Sequence, residues 1–169
     1  SAAKVVSALS TWYDWNITSP AQAWVTSPSS NHGMLLVSDN SREVRFYTSN
    51  DVDSRFHPHL RVEFTAGNPV PTATAAPVTP GATPIVTSAP MEIRGASQDT
   101  YINKLDPSRT YENKPMVIRG VGEKRALLKF DITQIPSTAQ ITSATLRLAA
   151  TNYNDGKTNL ALNVEAYLV

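Results

Sequence analysis

Histidine and acidic residues at two-residue spacing are the first candidates for chemistry in this chain. The run His57-Pro58-His59 would place both imidazoles on one face of an extended strand, where they could bind a metal ion. Asn50-Asp51-Val52-Asp53-Ser54 concentrates oxygen ligands that suit calcium, although it lacks the glycine and the terminal glutamate of a helix-loop-helix calcium site. Spacing identifies no third ligand. Ordinary turn and strand-entry residues are therefore the simpler interpretation, and calcium at Asp51 and Asp53 is kept as the alternative.

Patterns of catalytic residues are missing from the sequence. It contains no Gly-x-Ser-x-Gly elbow, no glycine-rich phosphate loop and no cysteine. A loose acidic group, Asp99, Asp106 and Glu112, is more typical of solvated loops than of a metal site. A glycosidase needs two carboxylates that face each other across a cleft, and the sequence selects no such pair. We therefore predict a protein that is not an enzyme and that needs no cofactor, with calcium as the one possible ion.

Aromatic residues near the N-terminus could either stack on sugar rings or fill a core. In an extended strand Trp12 and Asp14 face one side, while Tyr13 and Trp15 face the other. One of these pairs is expected in the core, with Trp24 packed over it from a short helix. The residues predicted for the core or for assembly contacts are Trp12, Trp15, Trp24, Phe130, Leu146, Leu148 and Val164.

Short runs of alternating polar and apolar residues, bounded by turn residues, predict the strands that position these side chains. They cover residues 12–17, 33–38, 43–48 and 60–65, and then 91–94, 100–103, 116–119, 125–132, 141–150 and 160–168. Alternation such as Glu43-Val44-Arg45-Phe46 predicts strands with one face in water, and Asn154-Asp155-Gly156-Lys157 has hairpin-turn chemistry. One helix is predicted, with Ser19 as N-cap and Pro20 in its first turn. About ten short strands predict an all-β fold, a jelly-roll-like β-sandwich.

A shift in composition divides the chain at residues 67–90. This stretch holds six of the twelve prolines among threonines and small residues, and proline cannot continue a sheet because it lacks an amide donor. We predict an extended linker between residues 1–66 and residues 91–169, with a reach on the order of 70 Å at about 3.1 Å per residue. An unmodified spacer and an O-glycosylated stalk are both compatible with it. The candidate acceptors are Thr72, Thr74, Thr79, Thr83 and Thr87.

Overall composition narrows the class of protein. The 169 residues are 41% hydrophobic and 17% charged, and 15 basic residues balance 14 acidic ones to a formal net charge of +1. This is a globular composition, and its charge balance indicates neither a nucleic-acid partner nor a membrane surface. No apolar run approaches the roughly 20 residues that span a bilayer. The lack of cysteine excludes disulfides and thiolate sites, and is common in bacterial proteins outside the cell.

Several motifs, taken in order, resemble a known family. Asp99-Thr100-Tyr101-Ile102, residues 125–132, Ile135-Pro136 and residues 141–148 are similar to the first half of the DNRLRE-type, disaggregatase-related carbohydrate-binding module. Residues 12–18, 23–25, 30–36, 46–49 and 58–62 resemble its second half. The resemblance implies polysaccharide binding, for which Tyr101, Tyr111 and Arg119 are the residues to test. We therefore expect an extracellular or cell-surface protein.

The two halves of this module occur in reversed order. Each half alone would have unpaired strand edges and an uncovered apolar face, so that neither should be stable by itself. The halves can close on each other within one chain, pair between modules of a longer repeat polypeptide, or pair between successive chains. The last arrangement propagates as a filament unless it closes into a ring. We favour completion between identical subunits or adjacent repeats, which predicts a head-to-tail structural protein; polysaccharide binding is the alternative function.

Overall fold

The computed structural model describes residues 2–39, 41–65, 90–120, 123–153 and 162–169. The strands of the first segment, residues 1–66, are β1 (Ala2–Val6), β2 (Trp12–Asn16), β3 (Met34–Ser38), β4 (Glu43–Phe46) and β5 (His59–Thr65), with helix α1 (Thr18–Thr26) after β2. Those of the second segment, residues 91–169, are β6 (Met91–Arg94), β7 (Gln98–Asn103), β8 (Met116–Arg119), β9 (Lys124–Lys129), β10 (Gln140–Tyr153) and β11 (Leu162–Leu168). The five linker threonines and the predicted turn at 154–157 lie outside the described residues.

Strand pairing interleaves the two segments. In the described ranges β1 pairs with β11, while β2, β4 and β5 all pair with β10. β3 pairs with β11 and β9, β4 with β8, and β5 with β6. Two pairings, β7 with β9 and β8 with β9, lie inside the second segment, and the described residues show none inside the first. All of these pairings are antiparallel. Every strand of the first segment therefore obtains its backbone partners from the second.

Strand β10 joins the two layers of an all-β, sandwich-like fold. Its residues Thr145, Leu146 and Arg147 lie between β2 and β5, because each of them pairs with both strands. Its last residues pair with β4 after an irregularity between Ala150 and Asn152. One layer thus contains β2, β10, β5 and β6, and the other contains the remaining strands. A strand long enough to serve both layers ties them covalently.

The core between the layers contains six of the seven residues that the sequence predicted there. Each of them is at most 2% exposed: Trp15, Trp24, Phe130, Leu146, Leu148 and Val164. Trp12 is the exception, because it lies half-buried on the opposite face of β2 from Tyr13 and Trp15. Trp12 is therefore not a core residue, and its other predicted role, an assembly contact, stays a prediction. Strand alternation separates the two aromatic pairs, and the structure turns Tyr13 and Trp15 inwards.

Helix α1 begins earlier than the sequence predicted. Ser19 is not the N-cap, since the helix starts at Thr18 and Ile17 precedes it. The amide of Thr18 donates to the Asn16 side-chain oxygen at 3.0 Å, which satisfies one of the free amides at the helix start. The helix is attached to the start of β10, because the amide of Ile141 donates to Oε1 of Gln22 at 2.7 Å.

Several strands differ from the sequence prediction by a few residues at their ends, and β9 and β1 show why. β9 stops at Lys129 rather than at residue 132, because Asp131 accepts from the Thr133 amide at 3.0 Å and from its hydroxyl at 2.8 Å, forming a turn. Asp131 consequently has a pKa below its ordinary value, chiefly through the Thr133 amide. β1 was not predicted at all. It lies at the edge of its layer, paired with β11, where Val5 is 49% exposed, so its residues carry little alternation.

Candidate functional site

A groove of about 580 Å³ follows the junction of the two segments. The first segment lines it with His32, Ser49 and Asn50, and the second with residues 96–100, Glu112 and residues 127–129. Two hydrogen bonds cross the junction here. The amide of Ser49 donates to Asp99 Oδ2 at 2.8 Å, and Asn50 Nδ2 donates to the carbonyl of Glu112 at 2.8 Å. The groove therefore exists when the two segments are joined.

Two oxygen atoms in this groove are buried without a hydrogen-bond partner in the described part of the chain: Asp99 Oδ1 and Ser49 Oγ. Asp99 as a whole is 9% exposed. A buried polar group without a partner costs about 1–3 kcal/mol, and more when it is charged. The pair is thus the strongest chemical anomaly of the groove.

In residues 50–54, the calcium candidate of the sequence, the aspartate side chains accept hydrogen bonds from neighbouring residues. Asp51 Oδ1 accepts from the Asp53 amide at 3.0 Å, and Asp53 caps the 3-10 helix Ser54–Phe56 by accepting from the Arg55 amide at 3.2 Å. The Arg55 guanidinium lies 2.8 Å from Asp53 Oδ2, and this hydrogen bond holds the pKa of Asp53 below its ordinary value. Within the described ranges no group of three histidine, cysteine or acidic side chains suited to a metal occurs. Arg55 thus supplies a positive charge next to Asp53, and calcium at Asp51 and Asp53 stays a prediction.

His57 and His59 do not share a strand face. His57 precedes β5 and its Nε2 lies 2.8 Å from the carbonyl oxygen of Asp51. His59 opens β5, is 4% exposed and stacks on Trp12 with 4.7 Å between ring centroids. Their different roles agree with the turn and strand-entry interpretation.

An aromatic row covers the outer face of β2 and β5. Trp12 lies between His59 and Phe56, whose centroid is 6.4 Å away, and Phe56 stacks on Tyr47 at 4.7 Å. The Arg147 guanidinium lies 5.5 Å from the centroid of Trp12. The row explains how His59 becomes buried although it points away from the core.

Burial lowers the pKa of His59, and Arg94, whose Nη1 lies 3.4 Å from His59 Nε2, lowers it further. Glu92, 3.4 Å from Nδ1, acts in the opposite direction but does not compensate. The folded state therefore favours the neutral imidazole more than the unfolded chain does. Stability from this group is fully present above the unfolded pKa of about 6.5 and is lost as the pH falls through the lower folded value.

We accordingly expect a lower urea midpoint at pH 5.5 than at pH 7.5. The variant His59→Gln should show a smaller difference between the two pH values, because it removes the buried group that must take up a proton. Equilibrium urea unfolding followed by tryptophan fluorescence measures both. His32→Gln is the matched control, because it replaces an exposed histidine by the same residue. An unaltered pH dependence in His59→Gln would contradict this assignment.

The residues that the resemblance implied for carbohydrate binding are only partly brought together. Tyr101 and Tyr111 stack on each other with centroids 4.1 Å apart, and Tyr111 is 7% exposed. Burial raises the pKa of the half-buried Tyr101. The guanidinium of Arg109 lies over the Tyr111 ring at 5.4 Å. Arg119 lies at the end of β8 and pairs with Glu123 at 3.7 Å.

Sequence reasoning missed a buried ion-pair cluster around Glu43. The sequence placed Glu43 on a wet strand face, yet it is 3% exposed. Its two carboxylate oxygens lie 2.8 Å from Lys124 Nζ and 2.8 Å from Arg45. Burial alone would raise the pKa of Glu43, but the hydrogen bonds and charges of Lys124 and Arg45 outweigh it and leave the pKa below its ordinary value. Lys124 belongs to the second segment, so this cluster also joins the two.

Fold and junction together define an all-β, sandwich-like protein whose two segments share one core. Comparison with known proteins adds no relative: no family model, no curated protein and no solved structure matches the chain. The resemblance to the DNRLRE-type module therefore stays a prediction. In the part of the chain that the structure describes, no helix combines the length and apolarity needed to cross a membrane.

Proposed function

We propose that the chain is a subunit or repeat of an extracellular filament or stalk, assembled head-to-tail by complementation of half β-sandwiches. The observation that carries this proposal is the pairing pattern, in which the described strands of the first segment pair with strands of the second. Strands without partners of their own must acquire them, and a second copy offers the same partners. When each first segment fills the second segment of the next copy, the assembly propagates.

The connection between the segments supports exchange between copies. β5 and β6 are antiparallel neighbours, with Val62 opposite Met91. Two to five residues are usually enough to connect such neighbours. Here residues 63–90 separate Val62 from Met91, and they include the proline-rich linker. The reach that the sequence predicts for this linker, on the order of 70 Å, is far longer than a hairpin needs and is long enough to reach a second sandwich.

The shared core supports exchange for an energetic reason. Trp15 of the first segment is 1% exposed and its Nε1 donates to the carbonyl of Val164, in the second segment, at 3.0 Å. The first segment of another copy would make the same contacts, because they depend on the two segments and not on the linker between them. Exchange of segments therefore links a chain to further copies and keeps the same core packing and strand pairs.

Shortening the linker tests the proposal. In the test variant a three-residue turn, Gly-Asn-Gly, replaces residues 66–89, which holds β5 and β6 of one chain together. We expect the unaltered chain to form oligomers or filaments that lengthen with concentration, seen by light scattering and negative-stain electron microscopy. The shortened variant should be a monomer with the same circular dichroism spectrum, because a short turn prevents its segments from separating.

A matched control replaces the same residues with a glycine- and serine-rich linker of equal length. Its average end-to-end distance is shorter, about 25–30 Å, but its fully extended length is as great, so it should still assemble. The proposal fails if the unaltered chain remains a compact monomer at high concentration, or if the shortened variant assembles equally well.

A further inference from the structure

The two unpartnered oxygens of the junction groove come from different segments. Asp99 lies on β7 in the second segment, and Ser49 follows β4 in the first. They are neighbours, because the Ser49 amide donates to the other carboxylate oxygen of Asp99 at 2.8 Å. Lys129 lines the same groove, but in the described ranges it forms no ion pair with Asp99. Among the described residues the buried carboxylate thus has one amide donor and no cation paired with it.

From this arrangement we propose that Asp99 and Ser49 bind a calcium-type divalent cation that bridges the two segments. Asp99 Oδ1 and Ser49 Oγ are both hidden from solvent. A water or sugar hydroxyl needs an oxygen–oxygen distance of about 2.7–2.8 Å. Ca²⁺ binds oxygen at the shorter distance of about 2.3–2.6 Å. A cation also supplies the positive charge that a buried carboxylate requires.

The rest of the groove can complete such a site. Ca²⁺ takes about six to eight oxygen ligands in flexible geometry and accepts carboxylate, amide, hydroxyl and water oxygens together. Asn50, Thr100 and Glu112 line the same groove as Asp99 and are the further oxygen-bearing residues that the cation would use. A site with few carboxylates has modest affinity, in the range of about 10⁻⁴–10⁻³ M that is typical of extracellular calcium modules. Mg²⁺ suits it less, because it demands shorter distances and gives up its water shell reluctantly.

This site goes beyond the proposed assembly and does not depend on it. Its ligands come from both segments, whether these belong to one chain or to two. A cation that binds the joined state and not the separated segments stabilises the joined state by mass action.

Calcium titration of the full chain tests the inference. After treatment with EDTA, addition of about 2 mM Ca²⁺ should raise the melting temperature by roughly 3 °C, and calorimetric titration should show saturable binding. The same concentration of Mg²⁺ should have a clearly smaller effect. Asp99→Asn keeps the side-chain shape but removes the charge, and should weaken calcium binding at least about tenfold. Ser49→Ala should weaken it less, because it removes one neutral ligand.

Asp53→Asn is the matched control. It also removes one carboxylate, from the run that the sequence offered as a calcium candidate, and it should retain the full calcium response. The inference is overturned if calcium has no saturable effect, if Asp99→Asn responds like the unaltered chain, or if Asp53→Asn loses the response. The inference is also overturned if Ser49→Ala and Asp99→Asn destabilise the EDTA-treated protein while no variant responds to calcium. That outcome would indicate a direct hydrogen bond between the two side chains.

Discussion

When the chain is cut at the linker, we expect each fragment, residues 1–66 or residues 90–169, to lack cooperative structure by itself. The two fragments should fold when they are mixed. The reason is the interleaved pairing, since in the described ranges each first-segment strand pairs with a strand from the other segment. Alone, the first segment would expose both edges of all five of its strands. No sheet would form in it to offset the conformational entropy that the chain loses on folding.

The two separated segments should not behave identically. The second retains the β7–β9 and β8–β9 pairings, which are local in sequence. Three strands with an apolar face are near the lower limit for independent structure. We therefore expect weak, non-cooperative β-structure in the second segment and none in the first.

Circular dichroism and heteronuclear NMR of each segment, and of their equimolar mixture, measure this prediction. The mixture should give dispersed amide signals, a cooperative thermal transition and a blue-shifted tryptophan emission as Trp15 enters the core. A control mixture carries Leu146→Asp in the second segment, where a buried charge at 0% exposure should prevent association. A first segment that proves to be a soluble, cooperative monomer would remove the basis of the assembly model.

Much of the fold could be predicted because its signals are local. Alternation bounded by turn residues indicated every strand except β1, and its period separated Trp12 from Trp15 on β2. The side of β2 that faces the core could not be derived this way, since both faces carry an aromatic ring. Local alternation also gave a wrong prediction for Glu43, which the pattern placed on the solvent-exposed face of its strand. Lys124, which covers it, is far away in sequence and comes next to it only through the pairing of β4, β8 and β9.

The candidate site could be predicted less well, because its residues are far apart in sequence and meet only in the folded structure. Sequence reasoning selected Asp51 and Asp53 because they lie close together along the chain. The structure directs attention instead to Ser49 and Asp99, which lie on different segments and meet at the junction. Asp99 belongs to the loose acidic group of the sequence, but nothing local links it to Ser49. A site built from long-range pairing requires the topology to be known first.

Replacement of Trp15 by alanine is expected to reduce the free energy of unfolding by about 3–5 kcal/mol. Trp15 is 1% exposed, and its ring meets Phe46 edge-on with centroids 5.9 Å apart. Alanine would leave a large cavity between the layers and would also leave the Val164 carbonyl without its indole donor. Trp15→Phe keeps much of the ring but loses the donor, so a smaller loss of about 1–3 kcal/mol is expected.

Urea unfolding of these variants, compared with Trp12→Ala, measures the effect. Trp12 is the matched control because it has the same side chain on the same strand but lies half-buried on the outer face. Its truncation should cost about 1 kcal/mol. The indole of Trp15 donates across the junction, so Trp15→Ala should also weaken association of the separated segments, and Trp12→Ala should do so less. Equal losses for the two alanine variants would mean that the sheet face assigned to the core is wrong.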